Sequence, residues 1–204
     1  MSTGLREIVL ASGSRARREM LAAAGVPFTV QAADVDEPAI RARLLGEDKH
    51  IAPERIAEVL AVAKAEDVSA KRSGSVIIGA DQVLSFGGEL LSKAPSIEAA
   101  RGALQRLRGR THELHSAVAF AEDGKASWAH VATARLTMRD FSDAFLDDYL
   151  NRAADRVTQS VGGYELEGLG VQLFEKIEGD YFTILGLPLL PVLGELRARG
   201  IISK

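Results

Sequence analysis

The sequence contains no cysteine, few aromatic residues and no long apolar run. The absence of cysteine excludes disulfide bonds, thiol catalysis and zinc–thiolate sites. No stretch approaches the ~20 consecutive apolar residues that a membrane-spanning helix needs. The first residues also lack the apolar segment of a signal peptide, so we expect a cytoplasmic protein that does not bind a membrane.

Neither sign of charge dominates the composition, because 25 Lys and Arg residues face 28 Asp and Glu residues, a formal net charge of -3. This balance does not favour a general nucleic-acid or membrane-surface binder, so any anionic ligand must be held by a local group of cations. A chain of 204 residues can bury a sizeable core. Since no repeat or low-complexity linker interrupts it, we expect one two-lobed domain over residues 1–204.

The most informative stretch is an apolar run that ends at a carboxylate. Residues 76–78 are β-branched and predict a buried strand, and Asp81 follows at its end. Open α/β sheets bind their ligands at this edge. Glycines 87 and 88 predict a hairpin that could return Lys93 towards Asp81. A turn-forming aspartate and a solvated lysine remain the alternative.

A second apolar strand, at residues 8–10, leads through small residues into a helix that begins near Arg15. The hydroxyl groups of Ser12 and Ser14, with the free N–H groups of the first helical turn, suit an anion. Arg17 adds a cation at the end of the helix where the macrodipole disfavours one, which an anion would explain. A capped surface helix is the alternative, and the GxxxxGK[ST] pattern of a P-loop is absent.

Two further segments carry candidate charged groups. Asp36 and Glu37 lie in an acidic stretch before Pro38, where they are either metal-facing carboxylates or part of a solvated loop. A helix from Pro53 has a clear apolar stripe. Lys64 lies beside this stripe, so its stem could follow the core and bring an ammonium group to a cleft. A surface lysine is the alternative.

The C-terminal half combines a histidine pair with a glycine-rich segment. His112 and His115 are three residues apart on a predicted strand and therefore point to opposite faces, so we do not expect them to chelate a metal. In the segment 160–188, Tyr164 and Glu167 stand between glycines, where a ring and a carboxylate could contact a planar group. Residues 171–177 and 181–184 predict a hairpin before the closing helix, which starts at Pro188.

Four segments in order, LASGSRARREML, GADQVLSFGGELLSKAP, LRGRTHELHSAV and GGYELEGLGVQLFEKIEGDYFTILGLPLLPV, resemble the Maf family of nucleoside triphosphate pyrophosphatases. The resemblance covers nearly the whole chain. It implies an α/β fold with a central mixed sheet flanked by helices and two lobes around a nucleotide-binding cleft. It also implies hydrolysis between the α and β phosphates with a divalent cation, Mg²⁺ or Mn²⁺.

The resemblance also assigns roles to residues of this chain. Asp81 matches the catalytic carboxylate that acts as general base, and we assign the metal to Asp81 with Glu37. The residues expected to bind substrate are Ser12, Ser14, Arg17, Lys64, Lys93 and Glu167.

Three positions depart from the family pattern, and two of them, Ala16 and Glu167, concern the base that is bound. Ala16 stands where an arginine or tryptophan is usual, and Ala94 separates Lys93 from its proline. Glu167 replaces the glutamine of the pyrimidine-specific branch, whereas Glu167 and Gln82 both resemble the branch that acts on 7-methyl-GTP. We therefore expect an enzyme that accepts a broad range of nucleoside triphosphates and leans towards guanine-type or modified bases.

Two other functions remain open at this stage. The first is a nucleotide-sensing regulator of septum formation without turnover, because the family is linked with division arrest. The second is a sugar-phosphate or nucleotide transferase, whose products would differ. A homodimer is compatible with the sequence but is not determined by it.

Overall fold

The computed structural model describes residues 6–203, which form seven α-helices and seven β-strands. The helices are α1 (Arg15–Ala23), α2 (Glu37–Glu47), α3 (Pro53–Ser69), α4 (Ile97–Leu107), α5 (Asp143–Ala153), α6 (Tyr181–Ile184) and α7 (Leu189–Ala198). The strands are β1 (Ile8–Ala11), β2 (Thr29–Val30), β3 (Val76–Phe86), β4 (Glu89–Leu91), β5 (Thr111–Glu122), β6 (Lys125–Met138) and β7 (Phe174–Glu178). Short 3₁₀ helices occupy Ala154–Thr158 and Leu169–Leu173.

The strands form one mixed sheet, in the order β2-β1-β3-β5-β6-β7, with β4 paired to β3. Strand β1 runs parallel to β2 and β3, whereas β4 is antiparallel to β3 and β7 is antiparallel to β6. All of β1 and the first six residues of β3 are buried, as expected for strands covered on both faces. The α/β class with a central mixed sheet is confirmed.

The chain divides into two compact units. The first unit comprises the chain up to Gln82, Ser116–Ala132 and the chain from Gly186, and it contains α1, α2, α3 and α7. The second comprises Val83–His115 and Thr133–Leu185, and it contains α4, α5 and α6. None of the helices within residues 6–203 is long and apolar enough to cross a membrane.

Several turns follow the sequence prediction closely. Ser14 caps α1, and Gly25 follows that helix with φ of 72°. The β3–β4 hairpin turns at Gly87 and Gly88, whose φ values of 60° and 85° are disfavoured for residues with a side chain. These turns were predictable because glycine or a capping hydroxyl satisfies a strictly local requirement.

Helix α2 was not predicted from the sequence. Asp36, expected in a loop, is its N-cap and accepts a hydrogen bond from the N–H of Ala39 at 2.9 Å, and Pro38 lies in the first turn. Leu44 is its buried residue, so no apolar stripe reveals the helix. The N-cap and the proline were the available signals.

The predicted hairpin of residues 171–177 and 181–184 is wrong. Residues Leu169–Leu173 form a 3₁₀ helix, and β7 pairs with β6 instead. Residues Tyr181–Ile184 form α6, because the carboxylate of Asp180 caps this segment by accepting from the N–H of Thr183 at 2.9 Å. Periodicity cannot identify a helix of four residues, so apolar character alone suggested a strand.

Candidate active site

Asp81 lies within strand β3, which continues to Phe86, so the expectation that the strand ends at Asp81 is wrong. The strand continues because its last residues pair with β4, whereas its parallel pairing with β1 stops at Gly79. The side chain of Asp81 is buried with only 5% of its surface exposed. Two residues earlier, a Cβ atom on Gly79 would lie 2.3 Å from the carbonyl oxygen of Ala61 and 2.6 Å from the nitrogen of Ala65. Glycine is therefore required for α3 to lie directly against β3 at this point. This close approach brings Lys64, on α3, to the carboxylate of Asp81.

Lys64 connects two carboxylates in the first unit. Its Nζ atom lies 2.7 Å from Oδ1 of Asp81 and 2.7 Å from Oε1 of Glu37. The side chain is only 13% exposed, so its stem does follow the core and brings the ammonium group to buried acceptors. In the protein without ligand, those acceptors are carboxylates of the chain itself.

Helix α2 contributes two charged groups from successive turns, Glu37 and Arg41. An Nη atom of Arg41 lies 3.6 Å from Oε2 of Glu37 and 3.8 Å from Oδ2 of Asp81. Within the described residues, Oδ2 of Asp81 and Nε of Arg41 are both buried without a hydrogen-bond partner. Arg41 was missed in the sequence because its position opposite Asp81 depends on the unpredicted helix.

The loop between β1 and α1 is organised by Arg17, which is buried. Its Nη1 atom donates to Oγ of Ser12 at 3.0 Å and to the carbonyl oxygen of Ala80 at 2.9 Å, and its Nε atom donates to the carbonyl oxygen of Gly186 at 2.8 Å. Oγ of Ser14 accepts from the N–H of Arg17 at 3.4 Å. The guanidinium group thus connects the loop after β1 with strand β3 and with the segment that precedes α7.

We call Arg17, Glu37, Arg41, Lys64 and Asp81 the charged cluster. Burial lowers the pKa of Arg17, and the two carboxylates oppose that change. Burial acts to raise the pKa of Glu37, but the hydrogen bond and charge of Lys64, with the charges of Arg41 and Arg17, outweigh it and leave this pKa below its ordinary value. Three cations against two carboxylates leave one positive charge in excess, which suits an anionic ligand.

Lys93 and Glu167 belong to the second unit. Both are exposed, and the backbone of Lys93 forms an isolated antiparallel bridge with Val161. Tyr164 is buried, so its ring serves the core of this unit rather than the surface. The substrate-binding roles of Lys93 and Glu167 therefore stay predictions.

A second buried polar group, the neutral cluster, consists of His112, Tyr149 and Tyr164. The His112 Nε2 and Tyr164 hydroxyl atoms are 2.6 Å apart, and the Tyr149 hydroxyl donates to the carbonyl oxygen of Gly163 at 2.9 Å. His115 instead contacts the hydroxyl group of Ser85 at 2.8 Å. The two histidines have separate partners, and residues 6–203 contain no group of three His, Cys, Asp or Glu side chains suited to a metal.

The α/β fold and a buried carboxylate within β3, contacted by the cations of α2 and α3, define a protein equipped for an anionic ligand. The family model for Maf-like proteins matches residues 7–199. The 7-methyl-GTP pyrophosphatase of Brucella abortus biovar 1 (strain 9-941) is 51% identical over 191 residues, covering 94% of this chain and 95% of that protein. The nucleoside triphosphate pyrophosphatase of Caulobacter vibrioides is 52% identical over 199 residues, covering 98% of each. This chain belongs to the Maf-like protein family.

Proposed function

We propose that this protein hydrolyses nucleoside triphosphates between the α and β phosphates, releasing nucleoside monophosphate and pyrophosphate. The observation that carries the proposal is the state of Asp81. Its Oδ1 atom is held by Lys64 at 2.7 Å, while Oδ2 is buried without a hydrogen-bond partner among residues 6–203. The names of the relatives, which are pyrophosphatases, support the same reaction.

The reaction needs a base and a neutralised phosphate chain. A water molecule attacks the α phosphorus and gives its proton to Oδ2 of Asp81, while the bond from that phosphorus to the bridging oxygen breaks and pyrophosphate leaves. Lys64 keeps Asp81 oriented through Oδ1. The hydroxyl groups of Ser12 and Ser14, beside the buried Arg17, donate to phosphate oxygens. Positioned donors and cations are the main source of catalysis in such reactions.

A divalent cation fits the residues present. The carboxylate of Asp81 is a hard oxygen ligand, and Glu37, joined to Asp81 through Lys64, supplies a second carboxylate. Mg²⁺ at phosphate sites characteristically uses one or two carboxylates and takes its remaining ligands from phosphate and water. When bound, the cation would lower the pKa of a water molecule and neutralise phosphate charge. We therefore assign Asp81 and Glu37 as its protein ligands.

The base preference is proposed to favour guanine-type bases through Glu167. An ionised carboxylate only accepts hydrogen bonds, and it matches the N1–H and amino group of guanine. Uracil and thymine present carbonyl oxygens on both sides of one N–H. With these bases, at least one oxygen of the Glu167 carboxylate would face a carbonyl oxygen, and neither atom can donate a hydrogen bond. The name 7-methyl-GTP pyrophosphatase among the relatives supports this direction.

The direct test is product analysis with purified protein. The protein is incubated with GTP, 7-methyl-GTP, UTP and dTTP in the presence of Mg²⁺ or Mn²⁺, and monophosphate, pyrophosphate and phosphate are separated by ion-exchange chromatography. We expect monophosphate and pyrophosphate in equal amounts. Diphosphate with free phosphate contradicts the proposed bond, and a transferred product identifies a transferase. Nucleotide binding without turnover identifies the regulator of septum formation instead.

The cellular role proposed is removal of modified nucleoside triphosphates, with a link to division arrest as its further consequence. Deletion of the gene, rescued by the parent but not by an inactive Asp81→Asn variant, tests whether that role depends on hydrolysis. The cytoplasmic location stays a prediction that cell fractionation measures, and sedimentation measures whether the protein is a monomer or the homodimer that the sequence allows.

A further inference from the structure

Arg41 is the cation of the charged cluster whose donors are least used. Its two ion pairs, 3.6 Å to Glu37 and 3.8 Å to Asp81, are longer than normal hydrogen bonds, and its buried Nε atom has no hydrogen-bond partner among the described residues. Arg17 already donates to three oxygen atoms, and Lys64 contacts both carboxylates at 2.7 Å. The guanidinium group of Arg41 therefore retains more unused hydrogen-bond donors than either of the other two cations.

We propose that Arg41 is a substrate-binding residue that donates hydrogen bonds to the oxygens of the phosphate group attacked beside Asp81. This inference rests on the proposed function and deepens it. A planar guanidinium group matches two phosphate oxygens at once, and charge-assisted hydrogen bonds of this kind are stronger than neutral ones. An incoming phosphate would satisfy the unpartnered donor, which is otherwise unfavourable to bury.

The position of Arg41 favours the reacting phosphate over the distant end of the triphosphate. The guanidinium group lies within 3.8 Å of the oxygen assigned as the base, and the attacked phosphorus must come close to the water that this base activates. Negative charge increases on the oxygens of that phosphate during attack. Arg41 should therefore affect both binding and the rate of the chemical step.

The alternative is that Arg41 only stabilises α2 by pairing with Glu37 one turn earlier. The chain offers a matched control for this role on the same helix. Arg43 pairs with Glu47 at 3.0 Å with the same spacing of four residues, and both side chains are well exposed. Helix stabilisation by an ion pair predicts similar effects for both arginines, whereas phosphate binding predicts an effect for Arg41 alone.

The experiment compares Arg41→Met, Arg41→Lys and Arg43→Met in the full chain. We expect Arg41→Met to lower kcat/KM for the preferred triphosphate by about 10- to 100-fold, with Arg41→Lys recovering part of the loss and Arg43→Met within about twofold of the parent. Calorimetry measures binding of an α,β-methylene triphosphate analogue, which is not hydrolysed. We expect about tenfold or weaker binding for Arg41→Met only, at an unchanged melting temperature.

Each contrary outcome has a separate meaning. Normal turnover and analogue binding in Arg41→Met overturn the proposal and leave pyrophosphatase activity intact. Equal losses of melting temperature in Arg41→Met and Arg43→Met, without a specific loss of binding, assign Arg41 to helix stability and also overturn it. If the parent binds the analogue but does not hydrolyse triphosphates, the proposed function fails, and selective loss of binding in Arg41→Met still supports phosphate recognition. A parent that neither binds nor hydrolyses overturns both.

Discussion

The two units bury polar groups of opposite character. The first holds the charged cluster, in which Oδ2 of Asp81 and Nε of Arg41 are buried without hydrogen-bond partners within the described chain. The second holds the neutral cluster, in which Nδ1 of His112 is also buried without a hydrogen-bond partner within the described chain. There, burial lowers the pKa of His112 to about 4 and raises the pKa values of Tyr149 and Tyr164 above their ordinary range. The neutral cluster therefore stays uncharged at neutral pH.

This contrast separates a site from a core. Burying charged groups with incomplete hydrogen bonding is costly, so such groups are characteristic of positions that complete their interactions with a ligand. Burying neutral polar groups costs less than burying charges, even where one atom such as Nδ1 of His112 has no hydrogen-bond partner among the described residues. We accordingly expect substitutions in the charged cluster to change turnover most, and substitutions in the neutral cluster to change stability.

The largest effect is expected for Asp81→Asn. Asparagine retains size and polarity but is neither a base nor a strong metal ligand, so turnover should fall by about 10²- to 10⁴-fold. Steady-state pyrophosphate release and circular dichroism measure activity and fold. Asp147→Asn is the control, because Asp147 is a well-exposed carboxylate paired with Arg101 in the second unit. Turnover of the Asp81 variant within about threefold of the parent contradicts the assignment.

Lys64→Met tests whether the carboxylates of Asp81 and Glu37 are stabilised by their shared contact with Lys64. Without its ammonium group, Asp81 and Glu37 lose their shared partner, so kcat/KM should fall and stability at pH 7 should decrease by on the order of 1 to 3 kcal/mol. The pKa of Glu37 is lowered in the folded protein. The ionised Glu37 carboxylate therefore adds to the free energy of unfolding above the pKa that it has in the unfolded chain, and this stabilisation is lost as the pH falls through the pKa of the folded state. Urea unfolding should therefore show a smaller difference from the parent at pH 4 than at pH 7. A difference that does not depend on pH contradicts this coupling.

Glu167→Gln tests whether Glu167, in the second unit, determines which base is preferred. The variant should move the ratio of kcat/KM values for UTP over GTP upwards by about one to two decades, because glutamine supplies a donor that a carboxylate lacks. Glu175→Gln is a matched exposed control in the same unit. A parent that already prefers UTP and dTTP, with no change in the variant, shows that Glu167 does not contact the base.

His112→Gln should have the smallest effect on turnover and a clear effect on stability. Because the pKa of His112 falls from 6.5 to about 4 on folding, the unfolded chain binds more protons between these values. The stabilisation that depends on a neutral His112 is fully present above about pH 6.5 and is lost as the pH falls towards about 4. The free energy of unfolding decreases by about 3 kcal/mol in total over this range. Urea unfolding from pH 4 to 7 should be less pH-dependent in the variant, while exposed His50→Gln should match the parent. An unchanged pH profile in His112→Gln contradicts this.

The sequence by itself determined the features that depend on neighbouring residues. The start of β3, the capped start of α1 and the glycine turn between β3 and β4 follow from β-branching, a capping hydroxyl and positive φ. The family resemblance named the candidate residues. Six of them contact one another or are linked by charge in the first unit: Ser12, Ser14, Arg17, Glu37, Lys64 and Asp81.

Only the tertiary structure decided how those residues are used. It turned Arg17 towards backbone carbonyl oxygens, placed Lys64 between two carboxylates and brought Arg41 towards Asp81. It also placed Tyr164 in a core. The physical reason is that these contacts join segments far apart in the chain, and a contact such as α3 against Gly79 depends on packing, which local propensity and periodicity do not encode.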